Sequence, residues 1–224
     1  MMRNGEQLLL ALVIPLGILV GGFWFGERLS IAKDALVGSV LALALWSTAF
    51  TSTAIATGFD RRQGVLERLA ATPIARTGLL GGKVIAVVVI TLLQWLVILA
   101  AALGLGWRPA PAGTQTLAVL AAAVLAVACF VGLALALAGT LRAEATLGLA
   151  NLIYMVGLVL GIMVPAATIG GPAGAVIQWL PTSALADTTR AWATGNTHFT
   201  GLLPLLLWAL AAVLLARKVF RWTA

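Results

Sequence analysis

Charged side chains are scarce in this chain: 9% of its 224 residues carry charge, while 62% are hydrophobic. A soluble domain carries about 25% charge, so the composition excludes a water-soluble globule and points to an integral membrane protein. Cysteine is nearly absent. Cys129 alone, inside an apolar run, rules out a disulfide framework and a cysteine metal site. The single histidine, His198, lies in a loop and is assigned no role. It leaves no histidine pair for an intramembrane metalloprotease, and no apolar run holds a carboxylate to serve as base beside a nucleophile. Hydrolytic chemistry in the bilayer has nothing to assemble. Asp, Glu, Lys, Arg and His are missing from the middle of every apolar run, which disfavours a stand-alone ion-coupled carrier, where a buried charge is the coupling element. ATP chemistry is missing too. Gly81-Gly82-Lys83-Val84 looks like the end of a phosphate loop, but such a loop needs glycine where Thr77 stands and Ser or Thr where Val84 stands.

What is present is an all-α pattern of six apolar runs, at about 8–25, 35–57, 83–105, 116–139, 147–165 and 201–216, in a single transmembrane domain covering 1–224. The first run follows a seven-residue polar head and contains Pro15, which is expected to kink it. It is long for a signal peptide and meets no small-x-small cleavage site before the bulky FWFGER exit, so it is read as a retained span. The second run is rich in hydroxyls in its lower half: Ser47, Thr48, Thr51, Ser52, Thr53 and Thr57. Such residues act as helix–helix glue or as a mildly polar substrate path, and glue, at about 1 kcal/mol per contact, is the more routine use. Gln94, Asn151 and Tyr154 are the other polar handles on the spans. Asn151 and Tyr154 share a face, three residues apart, and an interhelical hydrogen bond is expected of them before any contact with substrate. The glycine pairs Gly17/Gly21, Gly22/Gly26 and Gly157/Gly161 favour close helix packing under any function.

The longest polar interruption, Gly58 to Lys83, holds Arg61, Arg62, Arg68, Arg76 and Lys83. Its middle reads as a short surface helix starting near Gln63, with Val65, Leu66, Leu69 and Ala70 on one side and Gly64, Glu67, Arg68 and Ala71 on the other. Pro73 stops it, since proline lacks an amide donor and disfavours helical angles at Thr72. On charge alone, a solvated loop that satisfies the positive-inside rule serves equally well. Ten lysines and arginines collect on the side of this loop and both termini: Arg3, the five just named, Arg142, Arg217, Lys218 and Arg221. Four, Arg28, Lys33, Arg108 and Arg190, fall on the other side. The loop and both termini are therefore expected in the cytoplasm. The net charge of +7 belongs to this asymmetry, and no basic, aromatic-studded face suggests nucleic acid.

The wording of the loop is more particular than its charge. Asp60, Arg61, Arg62, Gly64, Leu66, Glu67, Arg68, Leu69, Thr72, Pro73, Gly82 and Lys83, placed between the second and third runs, resemble the coupling-helix loop of type-2 ATP-binding-cassette (ABC) permeases of the daunorubicin-resistance kind. The resemblance covers nearly the whole chain. It implies that this loop docks into a separate ATPase subunit, present in two copies, that binds Mg-ATP, while the chain itself carries no cofactor. It also implies export, a second permease copy or a paralogue, and a prokaryotic inner membrane. The almost wholly apolar walls of the runs lead to the expectation of a hydrophobic or amphipathic cargo such as a drug, lipid or glycolipid. Family members usually carry an amphipathic helix ahead of the first span, and the short head is expected to lack most of it.

In the segment 166–200, Gly170-Gly171-Pro172 precedes a nine-residue apolar piece too short to cross about 30 Å of hydrocarbon. Ser183 to Gly195 follows, with Ala184, Leu185 and Trp192 set against Asp187 and Arg190. This reads as a re-entrant or interfacial helical hairpin on the outer side. The resemblance implies that Gly161, Pro165, Leu180 and Pro181 belong to short helices capping the exit, an outer gate. Two other functions fit the same runs: the heme-exporter membrane subunit, distantly similar in its loop, and a non-transporting scaffold or assembly subunit.

Overall fold

A bilayer offers the backbone no water, so an apolar chain of this kind satisfies its amides within helices. The computed structural model describes residues 5–26, 32–70, 75–109, 113–196 and 200–220, and every regular element among them is helical. The first helix, α1 (Gly5–Phe25), runs through Pro15. The second begins as α2 (Lys33–Trp46), passes through a π-helical stretch at Ser47–Ser52 and continues as α3 (Thr53–Arg62). A turn leads to the short α4 (Val65–Ala70). Two long helices follow, α5 (Ala75–Gly104) and α6 (Gly113–Thr140). Beyond them come α7 (Ala143–Val159), the short α8 (Ala166–Ile169) and α9 (Gly171–Ile177), then α10 (Pro181–Ala193) and α11 (Leu202–Val219).

Four of these helices are long and apolar enough to cross a membrane: Lys33–Arg62, Gly81–Gly104, Gly113–Thr140 and Leu202–Val219. Leu12–Phe25 and Ala143–Val159 are shorter apolar helices. At ~1.5 Å per residue, α7 spans only about 25 Å before Gly161 breaks it. The helices also overrun the apolar stretches. Gly58–Arg62, expected in the loop, completes the second helix, and α5 starts at Ala75, eight residues ahead of the expected Lys83. Apolarity marks what prefers lipid, whereas the hydrogen-bonded ladder continues while nothing breaks it. Basic residues such as Arg61 and Arg62 suit the negative end of a helix.

The second helix is the central post. From Leu36 to Trp46 every residue is buried, so α2 is apolar on all sides, as a helix enclosed by neighbours must be. Trp46 stacks on Phe50 at 4.4 Å between ring centroids and meets Phe130 edge-on at 4.6 Å. Around this knot, α1 and α10 pack on α2, α6 and α7 pack on α3, and α11 lies along α6. Small residues permit the close crossings. A Cβ at Gly38 would lie 2.6 Å from Arg190 Cα, and one at Gly132 would lie 2.9 Å from the carbonyl carbon of Ala212.

The segment expected as a hairpin forms α8, α9 and α10. α10 is enclosed by α2, α6 and α11, and Pro181–Ala186 and Thr188–Ala191 are all buried, so it lacks the exposed polar face expected of it. His198 lies outside the described residues.

Gly161, where α7 ends, has φ +97° and a site so tight that a Cβ would lie 2.6 Å from Ser183 Cα. Gly161→Ala therefore combines backbone strain with a clash against main chain, and should destabilise the protein by about 2–4 kcal/mol. Thermal unfolding in detergent checks this beside Gly148→Ala, where nothing lies within 4 Å of the added methyl and little change is expected.

Candidate functional site

The corner joining α3 to α4 is built by one glycine and three cationic tethers. Gly64 has φ +67° and accepts the left-handed conformation with which helices commonly end, while its amide bonds to Arg61 O at 3.1 Å. The surface helix thus starts at Val65, and Gln63 and Gly64 form the turn before it. The faces of α4 fall as the periodicity predicts where they are described: Leu66 is fully buried, and Glu67 and Arg68 are exposed. Leu69 lies in the helix. Thr72 and Pro73 lie outside the described residues.

Each tether reaches a different helix. Lys83, on α5, donates to Asp60 Oδ2 at 2.7 Å and to Thr57 Oγ1 at 3.0 Å. Arg61 Nη1 donates to the carbonyls of Ala138, at 2.9 Å, and Leu141, at 3.3 Å. These oxygens close the C-terminal end of α6, where a helix leaves carbonyls unpaired and partly negative. Arg62 pairs with Glu144 in the first turn of α7, and with both side chains largely in solvent that bond contributes little. The end of α3 is therefore fastened to α5, α6 and α7, immediately before the chain turns into α4.

A second polar cluster holds the opposite end of the second helix. Arg190, 8% exposed, donates to Ser39 Oγ at 3.0 Å, Ile162 O at 2.8 Å, Gly161 O at 2.9 Å and Asp187 Oδ1 at 2.6 Å. One guanidinium joins α2, α10 and the broken end of α7. This corrects the expectation that Arg190 and Asp187 mark a polar face turned away from the apolar one; Arg190 points into the protein.

The residues expected along a substrate path separate into two groups. Around the π-helical stretch, Thr48 Oγ1 donates to Gln94 Oε1 at 2.9 Å between buried side chains, so Gln94 joins helices as glue. Ser47 Oγ bonds back to Ala44 O at 3.1 Å, and Thr51 Oγ1 is buried with no protein partner. On α7, Asn151 donates to Leu147 O of its own helix at 3.0 Å and faces outward, so the interhelical bond expected of it is not made. Its amide is satisfied locally, as a polar side chain on an outward helix face must be. Tyr154 is half-buried, and its carbonyl accepts from Trp46 Nε1 at 3.4 Å. At the expected outer gate, Pro165 precedes α8, Leu180 precedes α10 and Pro181 is buried as the first residue of α10. The turn 160–164 sits on that start, with Thr182 Oγ1 donating to Leu160 O at 3.3 Å.

Among the described residues, no group of three or more His, Cys, Asp or Glu could hold a metal ion. The model of the ABC-2 family transporter protein matches residues 8–218, nearly the whole chain. The chain belongs to the ABC-2 transporter family. It is thus the membrane permease part of an ABC transporter, multi-pass and without an ATPase site of its own, and a partnering ATPase subunit is implied. No curated protein and no solved structure matches the chain.

The Lys83–Asp60 pair was within reach of sequence reasoning, since both residues stood in the loop motif. Nothing local pointed to Ser39 or to the carbonyls of Gly161 and Ile162 as partners of Arg190.

Proposed function

We propose that this ABC-2 permease subunit moves a hydrophobic or amphipathic substrate, a drug, lipid or glycolipid, out of the cytoplasm. It has six spans, α1 and α7 completing the four longer helices, in a prokaryotic plasma membrane with both termini inside. It pairs with a second copy or a paralogue and is driven by two ATPase subunits that bind Mg-ATP. The segment from α8 to α10 forms a re-entrant element on the outer side, with Pro165, Leu180 and Pro181 at its gate.

The observation that carries this reading is the fastened corner at Asp60–Arg68. A push on α4 reaches α3 directly, and through Lys83, Arg61 and Arg62 it reaches α5, α6 and α7. The π-helical stretch at Ser47–Ser52 lies between this corner and α2, which is held by α1 and α10. Such stretches interrupt the regular ladder and often mark functional positions in helices. Here it would serve as the joint about which α3 swings between inward- and outward-facing states. Ser47 and Thr51 at that joint, and Asn151 and Tyr154 on α7, are the polar groups a passing substrate would meet.

Gentle purification of the tagged chain from its own membrane, followed by mass spectrometry, tests the assembly. A soluble subunit with a Walker A motif in stoichiometric amount is the expected result. Recovery with membrane subunits alone would favour a scaffold and leave α4 without its partner.

A further inference from the structure

Between α7 and α11 the outer surface is cleft. Its floor is Leu133, Ala136 and Leu137 of α6, and its walls are Ile153 of α7 with Leu215 and Val219 of α11. Phe50, from the π-helical stretch, closes the back, and the groove encloses about 350 Å³. Thr140 lies at one end, within two residues of carbonyls that accept from Arg61, so that end shares the membrane side of α4.

The volume limits what can enter. A helix about 10 Å across would fill it in less than one turn, so the groove suits a single flexible chain and not a transmembrane segment. The charge at the Thr140 end narrows the choice further. Arg142, exposed, precedes α7 and stands eleven residues ahead of Ile153, which puts both on the same side of that helix. Lys218, exposed in the last turn of α11, follows Leu215 by three residues, about 60° round the helix, so its flexible stem can carry the ammonium toward the same end. Glu144, the acid nearest in sequence to this end, is paired with Arg62.

We propose that the groove binds one acyl chain of an anionic phospholipid, with its phosphate held by Arg142 and Lys218. The site is distinct from the polar groups proposed for the substrate path. Bound there, the lipid would lie against Phe50 at the joint and beside the Arg61 tether. The chain's membrane embedding suffices for this proposal, so it stands whether or not an exporter is confirmed.

The full-length permease, delipidated in mild detergent, would be titrated with phosphatidylglycerol and with phosphatidylcholine of identical chains and read by native mass spectrometry. Retention of phosphatidylglycerol at least severalfold above phosphatidylcholine is expected. Arg142→Gln/Lys218→Gln should abolish that preference, whereas Arg217→Gln, on the other side of α11, should keep it. Ala136→Phe, which fills the floor, should reduce binding of both lipids, with the melting temperature confirming that each variant is folded. Equal retention of the two lipids by the native chain overturns the proposal. So does an unchanged preference in Arg142→Gln/Lys218→Gln, or undiminished binding in a folded Ala136→Phe variant.

Discussion

An Arg190→Leu permease is expected to be recovered in low yield and to unfold well below the native protein. The substitution removes the donor shared by Ser39 Oγ, the carbonyls of Gly161 and Ile162 and the Asp187 carboxylate. Breaking a buried ion pair from one side costs about 3–5 kcal/mol, because the remaining charge loses its counter-ion; among the described residues, Asp187 would keep only the Ser183 hydroxyl, at 3.4 Å. The lower part of that range applies, since the Asp187 side chain keeps 29% of its exposure and retains some solvation. Arg190→Lys should fall between, as an ammonium cannot match the planar fork that here serves four acceptors on three elements. The charge argument has its own check. Adding Asp187→Leu to Arg190→Leu removes the unpaired carboxylate and should recover part of the lost stability, read as melting temperature and as the coupling in a double-mutant cycle. A single Arg190→Leu variant with native yield and melting temperature would mean that the cluster does not hold α2, α10 and the end of α7 together.

That cluster was invisible in the sequence for a physical reason. Asp187 and Arg190 stand three apart on a short helix, and on periodicity alone such a pair looks the same whether water or protein faces it. What decides is the partner, and Ser39 lies 151 residues away. The α4 faces were legible by contrast. There the apolar side has a nearby surface to cover and the charged side stays open to solvent, so Leu66 is buried and Glu67 and Arg68 are exposed. The hydroxyl-rich lower half of the second helix gave the right chemistry without the right pairs. Thr48 and Gln94 hold helices together as glue, but nothing in residue order foretold a π-helical stretch, because hydroxyl side chains are compatible with either ladder. The span ends were shifted because apolarity and helicity stop at different residues. Arg61 and Arg62 belong to the helix although they belong to no apolar run.

Glu67→Ala/Arg68→Ala should abolish ATP-driven transport while leaving the permease folded. Six residues do not make a stable helix in isolation, so α4 is kept in place by burial of Leu66 and by the tethered corner ahead of it. Glu67 and Arg68 are both exposed, and substitutions at exposed positions change stability little. Their effect is expected at the ATPase contact, where charged groups at the rim of an interface set register and encounter. The measurements are substrate efflux, recovery of the ATPase subunit with the permease, and the melting temperature of the permease alone. Efflux should fall to background and recovery of the partner should drop, with the melting temperature nearly unchanged. Arg61→Ala provides the contrast, because its side chain reaches the carbonyls of Ala138 and Leu141. It should leave the partner bound but uncouple its ATP hydrolysis from efflux, since the push on α4 no longer reaches the end of α6. Normal efflux by Glu67→Ala/Arg68→Ala would remove α4 from the path of the ATPase and return this corner to a charged turn at the membrane surface.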